Sequence, residues 1–175
     1  MKRLLLIAMM AVGLTVTAQE TNFGVIGGFN MTSISTTDSS AGIPLTLSVN
    51  GSGFFAGFFV DFEVSDKFSI QPELTYSAGF KNGDSVNSIT MPILAKFYVS
   101  DKFSLQAGPM LDLVVDETPQ EANNFGLGLA GGIGYDVDEN VLIVFRYSLG
   151  LTNRVNLNNI SQKVDYLQIG VGYKF

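Results

Sequence analysis

Five charged residues stand inside runs of sequence that otherwise carry almost no charge: Asp61, Glu73, Lys96, Asp112 and Arg146. Acids and bases at similar distances from the nearest turn could neutralise one another as a packed ion network, or could line a gated or narrow conducting path. Catalysis is more tightly constrained. The chain has no histidine and no cysteine, so Ser-His, Asp-His and Cys-His machinery cannot be assembled, and neither can imidazole or thiolate metal sites. A carboxylate pair for general acid–base work stays open in principle, but nothing sets one apart from ordinary loop acids. The chain is read as a non-enzyme with no cofactor.

Gly126-Leu127-Gly128-Leu129-Ala130-Gly131 satisfies the dinucleotide fingerprint G-x-G-x-x-G. That motif needs a strand before it and a helix after it, whereas Gly132-Ile133-Gly134-Tyr135 continues a strict alternation. The glycines read better as a smooth inner wall leaving room for Phe55, Phe59, Tyr98 and Leu142. Acidic residues 116, 117 and 121 lack the spacing that would gather the six or more oxygens Ca²⁺ needs.

The elements that position the five charges are alternating runs. Eight are read, at 22–32, 53–64, 68–79, 88–99, 103–114, 124–136, 141–152 and 163–175. Each is longer than the usual soluble strand of about 5–6 residues and long enough for a tilted membrane strand of about 9–11. The turn Val64-Ser65-Asp66-Lys67-Phe68-Ser69 returns as Val99-Ser100-Asp101-Lys102-Phe103-Ser104, and Asp136-Val137-Asp138-Glu139-Asn140 is a diverged third copy. Three short turns then alternate with four long connections, at 33–52, 80–87, 115–123 and 153–162. That is the pattern of an up-and-down barrel with short turns in the periplasm and long loops outside.

One face of each run is uncharged and apolar, as in Phe54, Ala56, Phe58, Val60 and Phe62. The other is mostly Gly, Ser, Thr and Gln together with the five charges. A soluble calyx would alternate too, but with a densely charged exterior. Here the polar face suits a narrow lumen and the apolar face a bilayer. Phe62, Phe68, Phe97, Phe103, Tyr135, Tyr173 and Phe175 fall near the short-turn rim, as an interfacial girdle would. Pro72, Pro92 and Pro109 lie inside strands of a barrel that has no free edge, so a bulge or local break is expected near each.

At the start of the chain, Lys2 and Arg3, an apolar stretch to Val16 and the small residues before Gln19 read as a signal peptide over 1–18. The stretch is short for the roughly 20 residues of a membrane anchor helix. The remaining residues, 19–175, form one barrel domain with 8 basic and 16 acidic side chains. That balance argues against nucleic acid as a partner.

The runs Ser69-Ile70-Gln71-Pro72-Glu73-Leu74-Thr75-Tyr76-Ser77, Ile89-Thr90-Met91-Pro92-Ile93-Leu94-Ala95-Lys96-Phe97-Tyr98, Gln106-Ala107-Gly108-Pro109 and Arg146-Tyr147-Ser148-Leu149-Gly150-Leu151-Thr152-Asn153, with the closing Gly172-Tyr173-Lys174-Phe175, resemble the PorT-like family of small outer-membrane β-barrels. The resemblance implies an eight-stranded porin-like barrel and little about activity, since that family is named for a secretion-system component and most members have no assigned role.

The expected molecule is therefore all-β: an eight-stranded antiparallel up-and-down transmembrane barrel, exported to a bacterial outer membrane. It is expected to be a monomer in contact with outer-membrane lipids. Its expected role is structural or surface-interacting, through an extracellular or envelope protein partner. The alternatives are a narrow pore for small solutes or ions and a component of a secretion assembly. Arg146 and Lys96 are expected to bridge Glu73 and Asp61 and to plug the lumen.

Overall fold

The computed structural model describes residues 20–40, 42–81, 83–116, 123–155, 157 and 159–175. The export segment 1–18, and the loop acids Glu117 and Glu121, lie outside the described residues. In chain order the strands are β1 (Glu20–Asp38), β2 (Leu45–Ser65), β3 (Phe68–Lys81), β4 (Asp84–Tyr98), β5 (Phe103–Val114), β6 (Phe125–Asp136), β7 (Val141–Gly150) and β8 (Ile160–Lys174). Each pairs antiparallel with the next, and β1 closes the barrel on β8 from Gly24↔Lys174 to Asp38↔Ile160.

The period-2 alternation of a strand decides which residues face the lumen. On β7, Leu142, Val144, Arg146 and Ser148 are buried while Ile143, Phe145, Tyr147 and Leu149 are exposed. A Leu or Phe left in water forgoes about 1.5–3 kcal/mol relative to burial, and rows of them circle this barrel, so its outer face belongs in hydrocarbon. At the short-turn rim Phe68 pairs with Phe97, Phe103 pairs with Tyr135, and the Tyr173 and Phe175 rings meet edge-on at 5.7 Å.

Two strands run well past their expected ends. Most of the stretch read as a first long loop, 33–52, is strand, because β1 continues to Asp38 and β2 begins at Leu45. Ser35 bonds Ser48 and Thr37 bonds Thr46 across the pair, both at 2.9 Å. The Ser/Thr composition suggests a loop, yet the alternation with Ile34, Leu45, Leu47 and Val49 persists. Beyond the bilayer the outward face has no reason to be apolar, and cross-strand hydroxyl pairs support pairing there.

The prolines interrupt the ladder without moving it. Pairing lapses for two positions at Pro72 in the β2–β3 ladder, at Pro92 in β3–β4 and at Pro109 in β4–β5, and resumes each time in the same register. A missing N–H removes a hydrogen bond but inserts no residue, so a break suffices and no bulge forms. The one register shift described in these ladders lies at Glu63/Ser65, beside the short turn.

Inside, Ile26, Phe55, Phe59, Leu142 and Val144 form one apolar cluster, and Leu94, Met110, Ala130, Val164 and Tyr166 form another. Glycines make the room, though not with the expected partners. Phe55 and Phe59 lie against Gly170 and Gly24, where an added Cβ would collide with their rings. The β6 glycines give space to other side chains: Gly134 to Gln106, Gly128 to Met110 and Gly126 to Arg154.

Candidate functional site

The charged residues of the lumen sit on strands that must alternate, so each points inward because its neighbours in sequence point to lipid. On β4, Lys96 is buried between outward Ala95 and Phe97. Its Nζ donates to Asp61 Oδ2 on β2 at 2.7 Å and to Gln71 Oε1 on β3 at 3.0 Å. Gln71 Nε2 in turn donates to Glu73 Oε1 at 2.7 Å. Glu73 is held by the Arg146 guanidinium in a two-pronged bridge, NH1 to Oε2 and NH2 to Oε1, both at 2.7 Å. All four charged side chains in these two ion pairs are no more than 1% exposed.

Topology gives the second pair its meaning. In the ring of eight, β3 and β7 lie four strands apart, on opposite walls. The Glu73–Arg146 bridge therefore crosses the lumen from wall to wall, whereas Lys96–Asp61 spans only β3. An eight-stranded barrel has an interior just wide enough for side chains to fill. Charges buried there are costly unless paired and hydrogen-bonded, and the two-pronged geometry is the strong form of such pairing.

Asp112, the fifth residue of the set, does not join this chain of contacts. It pairs with Arg154 and accepts a hydrogen bond from Tyr166 Oη at 3.0 Å. Arg154 also donates to the Asn124 carbonyl at 2.7 Å. Sequence reasoning missed Arg154 because it falls in the long connection before β8, where a basic residue looks solvated. The available signal was arithmetic: the five residues are three acids and two bases, which leaves one acid without a partner.

At the short-turn mouth, Tyr98 Oη donates to Asp136 Oδ2 at 3.1 Å, and Lys174 Nζ lies 3.5 Å from the same carboxylate. Lys96 Nζ sits 5.3 Å from the Tyr98 ring centroid, within cation–π range. In the third short turn the backbone N–H groups of Val141 and Asn140 bond the Asp138 carboxylate and hold its pKa below the ordinary carboxylate value. Among the described residues no group of three or more acids gathers in a way that could hold a metal ion.

The fold is shared with small barrels of known structure. OprG from Pseudomonas aeruginosa is 19% identical, over 90% of this chain and 97% of that one, with a TM-score of 0.52. Ail, the attachment invasion locus protein of Yersinia pestis, is 15% identical over 88% and 99%, with a TM-score of 0.52. Neisserial surface protein A is 17% identical over 90% and 100%, with a TM-score of 0.54. At such identities the likeness is one of fold. No curated protein sequence matches the chain. The family model described as "Outer membrane protein beta-barrel domain" matches residues 4–175. With that match spanning nearly the whole chain, and a closed ring of eight strands that is apolar outside and holds paired charges within, the protein belongs to the outer membrane beta-barrel family and resides in a bacterial outer membrane.

Proposed function

We propose that this barrel is a sealed, monomeric outer-membrane protein whose role is structural or surface-interacting, rather than an open channel. The observation that carries this reading is the Glu73–Arg146 bridge from β3 to β7 across the lumen, with Lys96–Asp61 beside it. Two apolar clusters also pack inside the barrel, so hydrated ions meet paired charges and packed side chains on the way through. What the protein offers to a protein partner outside the cell lies at the long-loop end, where β1 and β2 continue to Asp38 and Leu45.

Planar-bilayer recording tests the seal. The intact protein is expected to give no steady conductance, and the Glu73→Ala/Arg146→Ala double variant is expected to give brief openings. Large steady conductance from the intact protein would overturn the seal and favour the narrow pore. The PorT-like motifs around Pro72, Pro92 and Arg146 support a second reading, in which the barrel belongs to a secretion assembly. A stable envelope partner recovered after gentle detergent extraction would favour it. Export by a signal peptide over 1–18 is part of the same proposal, and N-terminal sequencing of protein from the membrane is expected to begin at Gln19.

A further inference from the structure

The short-turn mouth carries a charge imbalance that the lumen network does not absorb. Two adjoining chambers open there, of about 900 and 580 Å³, sharing Glu63, Asp101, Asp136 and Lys174. Together they are lined by seven carboxylates and three ammonium groups. The ammonium groups are partly committed already, since Lys174 lies against Asp136 and Lys102 Nζ donates to the Val137 carbonyl at 2.8 Å. The smaller chamber has a polar floor. Ser69 lines it, is 1% exposed, and its Oγ has no hydrogen-bond partner. Ser69 is paired with Glu63 on one side and Lys96 on the other, so this buried, unpaired hydroxyl stands between the acidic rim and the ion pairs of the lumen.

We infer that the periplasmic mouth is a binding site for a linear organic polycation of the polyamine class. A metal ion fits poorly, because the carboxylates are spread around the rim and no three converge. A chain of ammonium groups can instead engage Glu63, Asp101 and Glu139 in turn. One terminal ammonium donates to Ser69 Oγ on the floor. Lys96, a cation behind that floor and already paired with Asp61, stops the guest from going further. The chambers have the size of small-molecule pockets, which run to about 300–1,000 Å³. Binding here needs only the mouth and does not depend on whether the lumen conducts.

The test is calorimetric titration of the refolded full-length mature protein, in zwitterionic detergent, with spermine as the probe. Saturable single-site binding at low salt is expected. It should weaken about tenfold or more in Glu63→Gln/Asp101→Asn/Glu139→Gln, as expected for the loss of several charge contacts, and stay unchanged in Ser35→Ala/Ser48→Ala at the other end of the barrel. Absence of saturable binding, equal affinity in the triple variant, or equally tight binding of MgCl₂ alone would overturn the assignment. If the triple variant does not refold, salt dependence decides: affinity that is the same at about 0.02 M and about 0.5 M salt contradicts a site built on exposed charge.

Discussion

Arg146→Ala probes the wall-to-wall bridge most directly. The substitution leaves the Glu73 carboxylate buried, with Gln71 Nε2 as its remaining donor. Removing one partner of a buried ion pair costs about 3–5 kcal/mol. The two lost hydrogen bonds to a charged group, at about 1.5–3 kcal/mol each, reach the same range. The surviving Gln71 contact places the expected loss toward its lower end, about 3 kcal/mol. Glu73→Leu/Arg146→Leu together removes both charges and fills the space with apolar volume, so it is expected to lie within about 1 kcal/mol of the original or to exceed it. Urea unfolding in lipid vesicles, read by the shift in gel migration between folded and heated barrel, gives both values and their coupling. An Arg146→Ala loss below about 0.5 kcal/mol, the range of an ordinary surface change, would refute the reasoning. It would mean that water solvates Glu73 and that the lumen is not sealed there.

Three further outcomes follow from the same architecture. Phe58, 67% exposed on the outer face of β2, is expected to lose about 2–4 kcal/mol as Phe58→Arg if it sits near the bilayer midplane, whereas Ser48→Ala on the same strand should change vesicle stability by no more than about 0.5 kcal/mol; equal effects in the unfolding assay would contradict a membrane boundary between them. Gly170→Ala brings a Cβ to 2.6 Å from the Phe55 ring and 2.7 Å from the Gly27 carbonyl, an overpacking expected to cost about 1–3 kcal/mol in the same assay. The folded state holds the Asp138 pKa below its unfolded value, so its contribution is present above the ordinary carboxylate pKa and lost as pH falls through the lowered folded value; Asp138→Asn should flatten that acid-side portion of the stability profile and leave neutral and basic pH slopes unchanged.

Strand number, closure and facing were legible in the chain because each rests on period-2 alternation, which a bilayer on one side and a packed lumen on the other both enforce. The repeated Ser-Asp-Lys turns marked one rim for the same reason: a short hairpin needs turn residues, and the Phe that follows each is a strand residue at the interface. The outer ends of β1 and β2 were not legible. Once a strand leaves the bilayer its outward face becomes polar, and Ser33, Ser35 and Thr37 resemble a loop although their pairing partners Asn50, Ser48 and Thr46 continue the ladder. Composition reports the solvent on that face, while backbone pairing answers to the strand beside it.

The inner charges divide along a similar line. Glu73 and Arg146 share a face parity that can be read from the sequence, but their meeting across the barrel depends on β3 and β7 being opposite in a ring of eight, which strand count supplies. Arg154 is reached by neither route, since it belongs to no run. A buried carboxylate in a narrow lumen is nonetheless a demand for a cation. With Lys96 meeting Asp61, Arg146 meeting Glu73 and Lys174 meeting Asp136, Asp112 had to find its base outside the inward positions of the strands. Lys163 points outward on β8 and Lys81 lies at the β3–β4 tip, and Arg154 is the one whose guanidinium the structure brings to Asp112. Charge balance applied to the lumen as a closed compartment thus reaches residues that periodicity cannot, and it predicts that a chain of this kind carrying a third inward acid will recruit a loop arginine to cover it.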